Sequence, residues 1–417
     1  MERGKGQAVP TDQVSLGVQP RAVALTALLD LETNRCATLS DSLDAAVLEP
    51  RDRGLARELA LGAERFAGLY DCLADRFLRP GRQPAELRAA LRIGAHQLFA
   101  LDRIPVHAAV ATTVGALRAL AQPHLAGVAN AVLRRLSEIR QERGGEGPQG
   151  RLLPADLPEQ LWQRHALPKA LVDDLTSVVP GPGEEPWAAL NRVAPLCTRT
   201  RPGIAPVVGR SIVKREESWT WWDDPEEALA GPVADGRAVV QDRAQGEAIT
   251  LARVRPNELV ADICAAPGGK SRAMLELGAV VISADVDGAK CAEMGDGGLA
   301  ALRQHGCGLA LTPGAFDLVV VDAPCSNTGV LARRPEAKRR YTKSATTSLA
   351  GIQARLLTSA TQLARPDGRV LYATCSLVPA ENQGVAHQLP GWRVLAEKLH
   401  WPDAWQAGGY ACLLVRC

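Results

Sequence analysis

Apolar residues return at three- and four-residue spacing from Arg21 to about Ile139. RAVALTALLDLE, DRGLARELALGAERFAGLYDCLADRFL and PAELRAALRIGAHQLFAL all carry this spacing, the period of a helix that buries one face. Ser40 or Asp41 can cap one of these helices, and Pro80-Gly81 breaks another. With AGVANAVLRRLSEIR as its last helix, the stretch 19–140 is expected to be an all-α bundle. Residues 1–18 are polar and aperiodic, so a disordered tail is expected there.

The periodicity ends at QERGGEGPQG, Gln141 to Gly150, whose glycines and charges suit a linker over 141–155. The pattern over 156–237 is mixed. PEQLWQRHAL and PKALVDDLTSVV suit short helices, and VAPLCTRTRP and GRSIVKREE suit strands, so a small α+β region is expected. Trp219-Thr220-Trp221-Trp222 is expected to be a packing block rather than a stacking surface, because indoles bury large areas.

From Ala238 to Cys417 the pattern changes again. ELVADI, AVVISAD, FDLVVVDAP and GRVLYATC are short runs rich in β-branched residues, separated by helical stretches such as SRAMLELG and TSLAGIQARLLTSATQLA. Strands alternating with helices predict an α/β, Rossmann-like domain with a parallel sheet covered on both faces. Ligands of such sheets sit beyond the C-terminal strand ends. That rule gathers 262–271, Asp285, 322–325 and Thr374-Cys375 into one crevice.

The loop DICAAPGGKS ends like a triphosphate-binding loop, but the spacing G-x-x-x-x-G-K-[ST] puts Cys264 where the first glycine belongs. Pro267 also removes a backbone N–H from a turn that would have to point N–H groups at phosphates. A nucleotide-hydrolysing enzyme is therefore disfavoured. Small residues in the turn admit a bulky ligand, and the following helix N-terminus favours a carboxylate. An acidic residue at the end of the next strand, Asp285, can accept both hydroxyls of a ribose. A ligand with a ribose and an amino-acid carboxylate but no phosphate is S-adenosylmethionine.

Cysteine usage then becomes informative. The chain has ten, with no C-x-x-C pair, no zinc-type spacing and no disulfide-scaffold density, so no metal is expected. For any one of them a small buried side chain is the ordinary reading. Cys325 in DAPCSNTGV and Cys375 in YATCSL differ, since each follows a predicted strand at the ligand edge. A thiolate adding to carbon 6 of a pyrimidine turns carbon 5 into a nucleophile able to accept a methyl group. A cation such as Lys270 would favour the thiolate, and an acid such as Asp322 could share a proton with ring nitrogen 3.

DICAAPGGKS, DAPCSNTGV and ATCSLVPAEN resemble the motifs of the RNA cytosine-C5 methyltransferases. LRIGAHQLFALDRIPVHAAV and VANAVLRRL resemble the NusB-like RNA-binding domain of one branch, the RsmB (Sun, Fmu) branch, which acts on 16S ribosomal RNA. The resemblance spans nearly the whole chain from about residue 20. It implies that Cys375 is the nucleophile and that Cys325 assists product release. It also implies that Cys264, Ala265, Ala266, Pro267, Gly268, Gly269, Lys270 and Asp285 contact the cofactor, with Asp322 at the edge and Lys270 orienting the site. Two departures stand out. The stretch LALTPGAF, 309–316, offers Thr312 where the family has a carboxylate after strand 3, and LCTRTRPG departs from the usual Arg-Val-Asn pattern.

Charge adds one candidate surface. The net charge is only +2, but RRPEAKRRYTK, 333–343, carries six basic residues against Glu336 beside the Pro-Cys loop. Arg333, Arg334, Lys338, Arg339 and Arg340 are expected to meet RNA phosphates. With 46% apolar and 23% charged residues, no membrane-length apolar run and no secretory h-region, a cytoplasmic monomer is expected. The rival expectation is a non-catalytic RNA-binding assembly protein with a decayed methyltransferase domain.

Overall fold

The structure is a computed structural model that describes residues 17–143, 145–147, 151–153, 158–306 and 310–417. The expected tail lies outside these residues except for Gly17 and Val18, and Val18 already opens the first helix. The described chain forms two compact units, one within 1–169 and 333–339, the other within 170–332 and 340–417.

The first unit is the predicted bundle: α1 (Val18–Glu32), α2 (Leu39–Asp44), α3 (Pro50–Arg65), α4 (Ala67–Asp75), α5 (Ala85–Ala100), α6 (Val106–Ala119), α7 (Ala126–Arg143) and the short α8 (Leu161–Arg164). The cap of α2 is Thr38, not Ser40 or Asp41. Its hydroxyl accepts from the Asp41 N–H at 3.3 Å, and the Asp41 carboxylate accepts from the Thr38 N–H at 2.8 Å, a reciprocal capping box. Helix α5 is buried nearly all round, with Leu87, Leu91, Ile93, Leu98 and Phe99 in one continuous core. Its polar residues are satisfied inside that core: Gln97 accepts from Arg21 Nε at 2.9 Å and donates to Thr113 Oγ1 at 2.9 Å. Within the expected linker, 141–143 finish α7, and β1 (Gly145–Gly147) pairs antiparallel with β2 (Arg151–Leu153). Its other residues lie outside the described ones.

The second unit begins with α9 (Lys169–Leu175, whose first residue belongs to the first unit) and α10 (Glu185–Ala189). It then builds a sheet of order β4-β5-β3-β6 from β3 (Leu196–Thr200), β4 (Ile212–Glu216), β5 (Trp219–Trp222) and β6 (Ala238–Val240), with α11 (Pro225–Ala228) before β6. Because β6 pairs with β3, residues 238–240, expected to open the large domain, lie in this small sheet. The tryptophans of β5 are packing residues: Trp221 and Trp222 are fully buried, and Trp222 Nε1 donates to Thr198 Oγ1 at 2.8 Å. Lys214 lies over the rings of both Trp221 and Trp405, at 5.1 and 4.8 Å.

After α12 (Arg243–Ala252) comes a seven-stranded sheet of order β12-β13-β11-β10-β7-β8-β9. Its strands are β7 (Leu259–Asp262), β8 (Val280–Asp285), β9 (Ala301–Arg303), β10 (Phe316–Asp322), β11 (Ala364–Thr374), β12 (Trp392–His400) and β13 (Gly409–Arg416). The sheet is mixed rather than parallel throughout, since β13 runs antiparallel to both β11 and β12. Alternate residues of each central strand enter opposite cores. Ala261, Val319, Val321, Val370 and Tyr372 pack with Leu356, Leu357 and Ala360 of α15 (Lys343–Leu363). Val260, Leu318, Val320 and Leu371 pack with Ala248 and Ile249 of α12 and with Ala273 and Met274 of α13 (Gly269–Glu276). Two covered faces explain the unbroken apolar run of β10, which alternation in a half-exposed strand would have interrupted. Helix α14 (Gly288–Asp296) joins β8 to β9, and the short α16 (Gln383–Ala386) precedes β12. The chain leaves β7 toward β9 and returns to β10 on the other side, so the topological switch lies between β7 and β10.

Removing the fully buried indole in Trp222→Ala is expected to cost about 3–5 kcal/mol, the range for large-to-small core changes. Chemical denaturation followed by tryptophan fluorescence checks this; an unchanged midpoint would show that the small sheet does not rely on this residue.

Candidate active site

Each expected ligand-edge residue follows from the strand that carries it. Asp262 ends β7 and is fully buried. One of its oxygens accepts from Ser271 Oγ at 2.7 Å, and Ser271 accepts in turn from Ser283 at 2.9 Å. Burial pushes the Asp262 carboxyl up to about 7; the Ser271 hydrogen bond opposes that shift, and the nearby Asp322 charge adds to it. The turn then passes a cis Ala266–Pro267 peptide and reaches Gly268, whose φ of 95° caps α13 in the left-handed region. A side chain there would be strained by that φ and would also meet Leu299 at 2.5 Å, so glycine is required.

Asp285 ends β8, beside that turn. Its two oxygens accept from the Ala266 N–H at 3.1 Å and the Asp287 N–H at 3.0 Å, leaving a lone pair on each. Next to it, space is open around Gly269 at the start of α13. A helix N-terminus facing open space with a partly exposed carboxylate alongside fits a ligand carrying a carboxylate and a vicinal diol. The same turn, with Pro267 inside it, does not present the N–H cradle a triphosphate needs.

The position after strand 3 also becomes definite. That strand is β9, so the residue following it is Gln304, not Thr312. Gln304 is buried, donates its backbone N–H to the Asp285 carbonyl at 2.9 Å and accepts from the Ala310 N–H through its side-chain oxygen at 3.0 Å. It is still not a carboxylate.

Lys270 is buried, and its Nζ donates to Asp322 at 2.7 Å and to Gln245 of α12. Where the sequence leads one to expect this cation near a thiol, its partners in the structure are a carboxylate and an amide. Gln245 was not legible as a site residue, since nothing in its local sequence marks it.

The two cysteines meet. β10 and β11 are adjacent and parallel, with Asp322 beside Ala373, so both chains leave the sheet at the same edge. Cys325 Sγ lies 2.9 Å from Cys375 Sγ, and Cys375 also donates to Asn327 Oδ1 at 3.0 Å. The hydrogen bond to Cys375 and burial push the Cys325 thiol well above its ordinary value. The loops pack backbone to backbone: the Gly329 N–H donates to the Cys375 carbonyl at 2.9 Å, and the Gly408 N–H to the Gly329 carbonyl at 2.7 Å. A methyl group on Gly329 would fall 2.5 Å from the Gly408 carbonyl and 2.9 Å from that of Cys375. Behind them, Asn382 accepts from Thr374 Oγ1 at 2.7 Å and donates to the Ser376 carbonyl at 3.0 Å, clamping both neighbours of Cys375.

The basic run divides. Within the first unit, Arg339 makes a two-pronged ion pair with Glu64, both distances 2.6 Å, and a further one with Glu32. Lys338 donates to the carbonyls of Arg65 at 2.8 Å and Ala166 at 3.0 Å. These two side chains, expected to meet phosphates, tie 333–339 to the helical unit, although Arg339 itself is still exposed. Arg333, Arg334 and Arg340 are exposed. Among the described residues no helix is long and apolar enough to cross a membrane, and no three His, Cys, Asp or Glu gather as ion ligands would.

Comparison with known proteins finds relatives along most of the chain. Residues 248–391 match the family described as 16S rRNA methyltransferase RsmB/F, and residues 18–138 match the NusB family. Ribosomal RNA small subunit methyltransferase B of Pseudomonas putida is 31% identical, over 88% of this chain and 88% of its own. The chain belongs to the RsmB/F family of rRNA methyltransferases. The protein of the same name from Xanthomonas campestris is 32% identical, over 89% of this chain and 87% of its own. The crystal structure of PH0851 superposes with a TM-score of 0.74 at 19% identity, covering 99% of this chain and 100% of that one, a likeness of fold. As a member of the RsmB/F family the chain uses S-adenosylmethionine as methyl donor. The open space at Gly269 and the carboxylate of Asp285 are the features that fit it.

Two outcomes are expected. A carboxyl raised from 3.8 to about 7 on folding contributes stability that is present below pH 3.8 and lost as pH rises through about 7. Asp262→Asn, with no proton to lose, should therefore melt progressively higher relative to the parent between those two values and level off above; a difference independent of pH in thermal melts would refute the raised value. Gly329→Ala should lower methyl transfer by about 10²-fold, the scale of a ~1 Å misplacement of a reacting group. Normal turnover in a radiolabel transfer assay would show that the loop can absorb the methyl group.

Proposed function

We propose that this protein transfers a methyl group from S-adenosylmethionine to carbon 5 of a cytosine in 16S rRNA, at a site of the cytosine-967 type, through a covalent adduct with Cys375. The observation that carries the reading is the pair of thiols 2.9 Å apart at the ligand edge of a methyltransferase sheet. The names of the relatives support small-subunit rRNA as the substrate class.

The target base must leave its stack to reach the thiols. The Cys375 sulfur, as thiolate, adds to carbon 6, and the electron pair of the 5,6 double bond becomes available at carbon 5. Asp322, held through one oxygen by Lys270, shares a proton with ring nitrogen 3 and so limits charge on the ring. The cofactor supplies an electrophilic methyl group. After methyl transfer, carbon 5 gives its proton to solvent water, the electron pair of that C–H bond re-forms the 5,6 double bond and the Cys375 thiolate leaves. Cys325, within hydrogen-bond reach of the departing sulfur and with its thiol pKa raised, supports this release step. Arg333, Arg334 and Arg340 are the candidates for phosphate contact, through exposed cationic groups.

The test is incubation with labelled S-adenosylmethionine and unmethylated small-subunit rRNA. Methyl label should appear on cytosine carbon 5 and be lost in Cys375→Ala, while Cys325→Ala should accumulate an RNA–protein adduct stable to denaturing electrophoresis. An adduct in Cys375→Ala instead would exchange the two roles. Absence of both transfer and cofactor binding would favour a non-catalytic RNA-binding protein.

A further inference from the structure

The loop after Cys375 carries a residue with an unusual set of partners. Glu381 lies in a 3₁₀ turn, Pro379–Glu381, and is fully buried. Among the described residues no cation pairs with its carboxylate; four hydrogen-bond donors converge on it instead. One oxygen accepts from the Ser326 N–H at 2.9 Å and from Gln353 Nε2 at 3.1 Å. The other accepts from Ser376 Oγ at 2.6 Å and from Ser326 Oγ. Its own carbonyl accepts from Tyr372 at 2.5 Å, which fixes the turn against β11. Gln353 also donates to the Pro324 carbonyl at 2.9 Å, immediately before Cys325.

Ser326 and Ser376 are the residues that directly follow the two cysteines. One carboxylate therefore holds the same position in both loops, and the two hydroxyls sit 3.2 Å apart across it. Each hydroxyl has one proton, and both protons point at Glu381, so an acceptor-only group is needed there. Burying a carboxylate is costly unless it is fully hydrogen-bonded, and charge-assisted bonds of this kind are about twice as strong as neutral ones.

We propose that Glu381 is the positioning residue of the reaction: it ties the Cys325 and Cys375 loops into one unit and sets the separation of their sulfurs. The inference rests on the assignment of Cys375 to adduct formation and Cys325 to release. It adds that each serine governs the cysteine it follows. The Glu381 charge also contributes to raising the Cys325 thiol, after the larger effects of Cys375 and burial, which keeps that group protonated until release.

The experiment measures the rate of adduct formation, the steady-state adduct level and turnover on small-subunit rRNA in three variants. Glu381→Gln keeps the size but presents an amide N–H₂ to donors; turnover should fall by about 10²-fold, the scale of a ~1 Å misplacement. Its cofactor affinity and KM for RNA should stay within about twofold, less than the effect of one lost hydrogen bond. Ser376→Ala should slow adduct formation about tenfold or more, as expected for one bond to a charged acceptor, without accumulation. Ser326→Ala should form adduct at the parental rate and accumulate it.

Near-normal turnover in a Glu381→Gln variant that binds cofactor, or identical behaviour of the two serine variants, would overturn the proposal. If Glu381→Gln does not fold, the split between the serine variants decides. Failure of the underlying assignment looks different: Cys375→Ala would form the adduct, and the two serine phenotypes would exchange along with the cysteines.

Discussion

Parallel pairing of β10 with β11, in the register that sets Asp322 beside Ala373, is the constraint on which the site depends. Parallel neighbours end at the same edge, so the loops that follow them must share one space. That alone makes residues fifty positions apart in sequence into contacting thiols. The register is specified because both faces of these strands are covered: slipping by one residue would move every side chain into the opposite core. Val319 and Val321 on one face and Leu318 and Val320 on the other leave no tolerant alternative.

Charge at the site is arranged around the same edge. The cation, Lys270, is joined to Asp322, and the buried Asp262 sits behind the turn with its carboxyl raised to about 7. Beside the sulfurs stand hydrogen-bonding groups: Asn327 at Cys375, and the two serines next in sequence. This arrangement suits chemistry in which a thiolate must form, react and be expelled again. A cation held directly against the sulfur would stabilise the thiolate and also make it less nucleophilic.

The basic run illustrates how a charged sequence can be put to different uses. Six cations beside the Pro-Cys loop read as a phosphate surface, yet the structure engages Lys338 and Arg339 in the helical unit. The difference lies in partners far away in sequence. Glu32 and Glu64 occupy helical positions whose periodicity shows only that they belong to α1 and α3, not which cation they receive.

Much of the architecture was legible because it is local. Helical spacing located the bundle, β-branched runs located the strands β7, β8, β10 and β11, and the missing glycine at Cys264 with Pro267 in the turn set the loop apart from a phosphate cradle. Short or solvent-edge elements escaped. β9 spans only Ala301–Arg303, too few residues for a pattern, so the sequence points to Thr312 where the structure has Gln304. The antiparallel β12 and β13 were not anticipated either, since strand direction is a property of pairing and not of composition. The sequence by itself determined which residue types could do the chemistry and which strands would carry them, because propensity, periodicity and motif spacing act over neighbouring residues. Only the tertiary structure decided that Cys325 and Cys375 touch, that Lys270 faces Asp322 and that Glu381 lies behind both loops, because strand order and register bring those groups together across distances that no local pattern encodes.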